Sequence, residues 1–241
     1  MIEIKDLTKK YKNLVAVHSA NLTIHEGELF GLLGVNGAGK TTLISMLSTL
    51  ISPTSGTATI SGYDLLKDKD KIKKIISVSP QETAIAPLLT VKENLNFFSD
   101  IYEINDSSYL EEMIHLFHLE EVLNKKAKTL SGGYKRRLSI AISLLSKPQV
   151  LFLDEPTLGL DVFARRELWK IILSLKGKIT IVLTSHYLEE IEALCDRIAV
   201  IHKGNIIFEG KIEEMKKQTQ KENIEDAFIQ FIEGDESHET L

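Results

Sequence analysis

Residues 34–41 read Gly-Val-Asn-Gly-Ala-Gly-Lys-Thr, the complete G-x-x-x-x-G-K-[ST] spacing. Glycines so placed let successive backbone N–H groups curl around a phosphate, and a helix starting at Lys40 adds the positive end of its dipole. The ammonium of Lys40 then reaches the β- and γ-phosphates of a nucleotide, and the Thr41 hydroxyl is available to Mg²⁺. At average glycine usage a chance match in a chain this long is on the order of one in a hundred. A plain glycine-rich turn would not need the context found here, an apolar run before the loop and a helical pattern after it.

A second signal stands 120 residues after Gly34: the run from Leu151 ends in two adjacent carboxylates, Asp154 and Glu155. At the C-terminal end of a strand such a pair lies where α/β sheets bind ligands. Asp154 suits a role in organising Mg²⁺ and its waters. Because side chains alternate along a strand, Glu155 points elsewhere and is placed to polarise an attacking water. Taken alone, an acidic pair is as readily explained by the preference of carboxylates for a helix N-terminus. Ser131, followed by Gly132, Gly133 and a basic helical run, reads by itself as a plain N-cap after a flexible loop, the alternative being a second phosphate-binding helix terminus. Three further residues are ambiguous by themselves: His186, opening a helix over 187–194, is a cap or a core histidine. Gln81 follows the apolar run 75–78, and Tyr11, between Lys10 and Lys12, is by default a half-buried strand aromatic.

Strands and helices must position these groups. Residues 2–4, the alternating stretch 15–24 and the apolar run 29–33 read as strands. A helix follows from Lys40 to about Leu50, with Leu43, Leu47 and Leu50 on one face, and a strand over 57–61. Residues 90–145 carry helical periodicity. After Pro148, the continuous apolar runs 150–153 and 179–184 are typical of strands buried on both faces of a parallel sheet. Residues 198–201 and 206–208 read as a hairpin turning at Gly204 and Asn205. The pattern is an α/β core interrupted by a helical insert over about 83–147.

Composition narrows the partners. Of 241 residues, 43% are hydrophobic and 26% charged, enough for one sizeable core. The net charge of −5 sits in the tail: residues 1–210 hold 25 basic and 25 acidic residues, and 211–241 hold 4 and 9. This is not the charge footprint of a nucleic-acid binder. The basic runs at 67–74 and 125–137 are expected to be solvated faces or contacts to a membrane protein and anionic headgroups. Cys195, alone, excludes an internal disulfide and fits a reducing compartment. The charged N-terminus predicts no signal peptide. The longest charge-free stretch, 41–63, carries 11 Ser or Thr in 23 residues, so a soluble, cytoplasmic chain is expected.

Taken in chain order, the set resembles the ATP-binding cassette family. Tyr11 falls in the adenine-stacking position, 34–41 at the P-loop, Gln81 at the Q-loop, and 130–133 at the family signature. Asp154 and Glu155 follow, then Gly159, Leu160 and Asp161 at the D-loop and His186 at the switch histidine. The resemblance covers about residues 2–232. It implies an α/β fold: a P-loop NTPase core with a mixed, mainly parallel sheet, an N-terminal antiparallel β subdomain and an inserted helical subdomain. The chain would be one domain, 1–241, with 1–82 and 148–210 as ATP-binding core, 83–147 as helical subdomain and 211–241 as a short acidic tail.

The resemblance also implies ATP and Mg²⁺ as cofactors, with Lys40, Gln81, Glu155, Asp161 and His186 in catalysis. Tyr11, Asn36, Gly37, Ala38, Gly39, Lys40, Thr41 and Thr42 would hold the nucleotide, Thr41, Gln81 and Asp154 the metal. Ser131, Gly132 and Gly133 would serve the nucleotide of a second copy or a paralogous cassette in a head-to-tail dimer. The implied partner is an integral-membrane permease, at the cytoplasmic face of the cell membrane, with no nucleic acid. Tyr134 stands where the family often has Gln, with no loss of chemistry expected because the phosphate contacts would come from Ser131 and the glycine amides; Ile142 stands where many members have Arg. Residues 156–161, 134–137 and 223–232 look most like the branch with separate ATPase and permease chains, mostly exporters. Ile224, Phe228 and Phe231 share a helical face expected to dock on the core, with 233–241 frayed. The alternative, a soluble cassette acting on nucleic acid or the ribosome, fits poorly. Only 49 residues separate Gln81 from Ser131, too few for a long coiled-coil arm, and one cassette is present where translation-associated members carry two.

Overall fold

The computed structural model describes residues 1–104 and 106–238, with side chains described through Asp235. Strands β1 (Ile2–Tyr11), β2 (Leu14–Ile24), β4 (Ser55–Ile60) and β5 (Tyr63–Asp64) form an antiparallel sheet in the order β2-β1-β4-β5. A second sheet runs β10-β9-β3-β8-β7-β6, built from β3 (Leu29–Leu33), β6 (Ile76–Ser79), β7 (Val150–Asp154), β8 (Thr180–Ser185), β9 (Arg197–His202) and β10 (Asn205–Gly210). It is parallel except at β9–β10. The α/β class, the antiparallel N-terminal sheet and the mainly parallel second sheet are as the sequence led one to expect.

The parallel strands have no polar face because both of their faces are covered. Along β7, Leu151 and Leu153 join one apolar cluster and Val150 and Phe152 the other; β8 divides Ile181 and Leu183 from Val182 in the same way. Period-two alternation thus feeds two cores, which is why the runs read as continuously apolar. One core lies under the helices α5 (Gly132–Leu145), α6 (Val162–Leu175) and α7 (Leu188–Leu194). The other lies between the two sheets and holds α1 (Lys40–Leu47) and Ile72 of α2 (Lys69–Ile75). Helices α3 (Val91–Ile101) and α4 (Ser107–Leu116) pack with α5 in the stretch between β6 and β7. Thr90 closes a capping box with Glu93 at the start of α3.

Several boundaries differ from the sequence reading. Helix α1 ends at Leu47: Thr49 takes a left-handed φ of 62°, which breaks the helical path, and Leu50 is left 72% exposed instead of sharing the buried face. The hairpin turns at Lys203 and Gly204, both at positive φ (44° and 84°), one residue earlier than expected; a two-residue turn with both centres left-handed matches the twist of its strands. Helix α8 (Ile212–Thr219) was not read at all, and α9 (Ile224–His238) continues through residues expected to fray, while 239–241 lie outside the described residues. The tail does dock: Ile224 and Ala227 are buried, and the Phe231 ring lies 5.1 Å from that of Phe208 on β10. Among the described residues no helix is long and apolar enough to cross a membrane.

Phe208, 6% exposed, joins this tail to the sheet. Phe208→Ala is expected to lower stability by about 3 kcal/mol, the lower end for a buried phenylalanine because half-buried Phe231 can settle into the space. Hydrogen exchange should rise in α9 well before β7; equal rises in both would show that the tail is not a separately opening unit.

Candidate functional site

The loop after β3 is held from two sides before it reaches α1. A Cβ on Gly34 would sit 2.3 Å from the Ile201 carbonyl on β9, and one on Gly39, at φ 115°, 2.5 Å from the Ala16 carbonyl on β2. Only glycine permits that approach. Gly204 N donates to the Ala38 carbonyl at 2.9 Å, and His18 N to the Gly204 carbonyl at 2.8 Å, so the β9–β10 turn bridges β2 and the loop. Lys40 folds back into the loop it ends, donating from Nζ to the Gly34 carbonyl at 2.6 Å and the Val35 carbonyl at 3.2 Å. Burial holds its pKa below the ordinary lysine value, while the Glu155 and Asp154 carboxylates pull it the other way. An anion entering the loop meets a buried cation with weak neutral partners that it can replace.

Asp154 ends β7 beside Thr184 on β8, whose hydroxyl donates to Asp154 Oδ1 at 2.5 Å. The same hydroxyl accepts from Glu155 N at 3.0 Å, and the Thr184 carbonyl accepts from that N at 3.1 Å. Glu155 has a φ of 48°, in the left-handed region that a residue with a side chain seldom adopts. Its Oε2 lies 2.6 Å from His186 Nδ1, off the angle of a hydrogen bond. His186 follows β8 directly, one residue ahead of the α7 cap. Parallel strands ending at one edge thus bring together groups far apart in sequence.

Tyr11, Asn36, Gly37, Ala38, Gly39, Lys40, Thr41, Thr42, Gln81, Asp154 and Glu155 all line one cavity of about 420 Å³. The donors among them, the Thr41 hydroxyl, the Gln81 amide and one carboxylate, are hard oxygens. That set fits Mg²⁺ completed by phosphate and water, a cation that needs few protein ligands. Among the described residues no group of three His, Cys, Asp or Glu could hold a metal alone. Ser131, Gly132 and Gly133 do not line this cavity. Ser131 caps α5, accepting from Tyr134 N at 3.4 Å as expected, while a Cβ on Gly133 would lie 2.9 Å from Ala164 Cβ on α6. Asp161 caps α6, accepting from Phe163 N and Ala164 N at 2.9 and 3.0 Å. A larger cavity, about 1070 Å³, lies at the opposite ends of β7 and β8 beside Tyr109 and Lys147, away from all these residues.

Two residues around the site had no signal in sequence. Thr184 was one apolar-run residue among six. Arg136 belonged to the basic run 125–137, expected as a solvated or membrane-protein-facing surface; Lys125, Lys126 and Lys128 are exposed, but Arg136 and Arg137 are 4% and 7% exposed, which corrects that expectation for the arginines. Arg136 donates to the carbonyls of Asp154, Pro156, Pro80 and, at 3.4 Å, Gln81. Burial pulls its pKa down to about 10, opposed by Asp154, Glu190 and Glu155, and it stays charged at neutral pH.

Thr184 is fully buried and serves both residues that end β7. Thr184→Val keeps the volume and removes both hydrogen bonds. A loss of about 1–3 kcal/mol is expected from denaturant titration, the cost of orphaning buried partners; an unchanged midpoint would mean that Asp154 and Glu155 are held by other contacts.

Comparison with known proteins agrees with this geometry. The ABC transporter family model matches residues 17–158. The chain is 38% identical over 99% of its length to the "Probable multidrug ABC transporter ATP-binding protein YbhF" of Escherichia coli, spanning 43% of that protein. It is 39% identical over 87% of its length to the linearmycin resistance ATP-binding protein LnrL of Bacillus subtilis, spanning 69% of it. A solved ATP-binding subunit of an ABC transporter superposes with a TM-score of 0.85 at 26% identity, covering 96% of this chain and 99% of that one. The dimeric, post-hydrolysis cassette MJ0796 bound to ADP and Pi gives 0.78 at 27% identity, covering 88% and 98%. The two-sheet fold that carries this site is that of an ATP-binding cassette, and the chain belongs to the ABC transporter family.

Proposed function

We propose that this chain is the ATP-hydrolysing subunit of an ABC transporter. Two copies, or one copy and a paralogous cassette, close head-to-tail around two Mg·ATP and drive a separate integral-membrane permease, working as an exporter. The observation that carries the reading is the division of the site. The loop, Asp154 and Glu155 line one cavity, while Ser131 and Gly132 stand exposed at the N-terminus of α5, outside it. A helix N-terminus with outward amides is built for an anion that this chain does not itself present to it. The apolar Val162 and Phe163, 52% and 82% exposed directly after Asp161, fit a surface that a partner covers. The dimeric form of MJ0796 supports the pairing, and the resistance and multidrug names of LnrL and YbhF support the export direction. The protein would sit peripherally on the cytoplasmic face of the membrane.

In this reading Tyr11, 44% exposed at the mouth of the cavity, stacks on adenine by its π-face. Lys40 exchanges the Gly34 and Val35 carbonyls for the β- and γ-phosphate oxygens, and the amides of 36–42 complete the cradle. Thr41, Gln81 and Asp154 hold Mg²⁺, which neutralises charge developing on the phosphate oxygens when bound. Glu155 holds the attacking water and accepts its proton, so that ATP and water leave as ADP and phosphate. His186 turns from Glu155 Oε2 to the γ-phosphate when nucleotide is present. Asp161, fixing the start of α6 beside the exposed apolar pair, passes the state of one site to the other. Loss of the γ-phosphate removes what bridges the two chains; they part, and the permease moves.

Glu155→Gln keeps the shape of the side chain and removes the base together with a negative charge facing the γ-phosphate. Turnover is expected to fall by about 10²–10⁴ while Mg·ATP binding persists. With ATP the variant should run by light scattering near twice 27.1 kDa, where the wild type is mostly monomeric. A variant that stays monomeric at saturating Mg·ATP, or that keeps wild-type turnover, would contradict the reading.

A further inference from the structure

Glu155 owes its direction to an unusual backbone. Its φ of 48° is held from β8 by the two bonds its N–H makes to Thr184, but those bonds fix only its own amide. The carbonyl side of that same peptide, and the Pro156 carbonyl two residues on, are held by another element, while the Glu155 carbonyl between them accepts from Leu158 N at 3.2 Å. The Asp154 carbonyl accepts from Arg136 Nη2 at 2.8 Å and the Pro156 carbonyl from Arg136 Nε at 2.8 Å. The third nitrogen, Nη1, donates to the Pro80 carbonyl and, at 3.4 Å, to that of Gln81. One planar fork therefore spans the residues before and after Glu155 and the start of the segment that carries Gln81.

The carboxylates of Asp154, Glu190 and Glu155 favour the charge through space, but none of them bonds to it. Arg136 is 4% exposed and, among the described residues, makes no salt bridge; its named partners are all backbone carbonyls. Burying a cation without an ion pair is costly, and an apolar side chain would fill the space more cheaply. A guanidinium offers five donors in fixed relative directions, which an ammonium does not. It can lock three separate backbone segments in one mutual arrangement.

Arg136 also lies on α5, about 1.4 turns from its cap at Ser131. We propose that Arg136 is the positioning residue for Glu155: it holds the left-handed turn that aims the carboxylate, and makes that aim follow the position of the Ser131 end of α5. This rests on the reading of Glu155 as the base and of Ser131 as the group serving a partner's nucleotide. When Ser131 engages that nucleotide, α5 carries the fork with it, and the peptides flanking Glu155 and the Gln81 segment move as one unit.

The test uses the full chain with Mg·ATP, Arg136→Lys as the main variant and Arg136→Gln, planar but shorter, as the second should the first fail to fold by thermal melt. Arg136→Lys is expected to lower kcat by about 10-fold or more, with KM for ATP within about 3-fold. Single-turnover hydrolysis of labelled ATP in the Glu155→Gln background separates the two ideas, since residues that act through one another are not additive. There, adding Arg136→Lys should cost less than about 2-fold more. Wild-type turnover in the folded variant, or the same fold-loss with and without Glu155, overturns the positioning role while leaving Glu155 as the base. Wild-type turnover in Glu155→Gln alone would instead remove the base itself, and the positioning role with it.

Discussion

The site depends on a close approach of backbone to backbone. The loop after β3 is pressed between a carbonyl of β9 and a carbonyl of β2, and the β9–β10 turn bonds to both the loop and β2. The turn engages the Ala38 carbonyl, Lys40 holds those of Gly34 and Val35, and no side chain at Gly34 or Gly39 keeps the loop off the strands. An anion cradle is what remains when a chain is folded in that way. The two sheets therefore cannot slide against one another without deforming the loop, and the antiparallel sheet, which supplies Tyr11 and Ala16, is part of the site as much as a cover for the core.

The parallel sheet supplies the second requirement, that distant residues meet. In register, Leu33 pairs with Ser185 and Asp154 with Thr184, so the loop at 34, the carboxylates at 154 and 155 and His186 leave the sheet along a single edge. That edge also concentrates charge: Lys40, Arg136, Asp154, Glu155 and Glu190 interact there. Burial pushes the two cations down, and it raises the pKa of Glu190, which Trp169 Nε1 bonds at 2.9 Å. A nucleotide enters a site whose charges are already arranged and partly desolvated, where electrostatic contacts are strongest.

How much of this was legible in sequence follows from what sets each feature. The loop, the carboxylate pair and the capping serine could be read because their chemistry fixes spacing, and spacing survives in one dimension. The doubly buried strands were legible because burial on both faces erases polar alternation. The end of α1 was not: Leu50 keeps the apolar spacing, and a left-handed Thr49 turns it to solvent. The tail helix α8 was missed for the opposite reason, since its buried residues Ile212, Met215 and Thr219 are scattered among five other polar ones. Arg136 was hidden in a basic run because an arginine bonded to carbonyls looks, in sequence, like an arginine in water. Thr184 was hidden because a threonine within an apolar strand reads as β propensity. Groups that act through backbone partners leave no spacing to find.

The central claim is that the site is complete only across two chains, and proximity measures it most directly. In a Cys195→Ser background, one chain would carry Asn36→Cys in the loop and another Gly132→Cys at the start of α5. Both positions are exposed, and a Cβ at 132 meets nothing closer than Leu160 Cδ2 at 3.7 Å. With a short bifunctional thiol reagent, mixed chains should form a cross-linked heterodimer with Mg·ATP and a slow-hydrolysing Glu155→Gln pair, and little without nucleotide. Cross-linking that is absent with ATP, or equal without it, would contradict a nucleotide held between two chains.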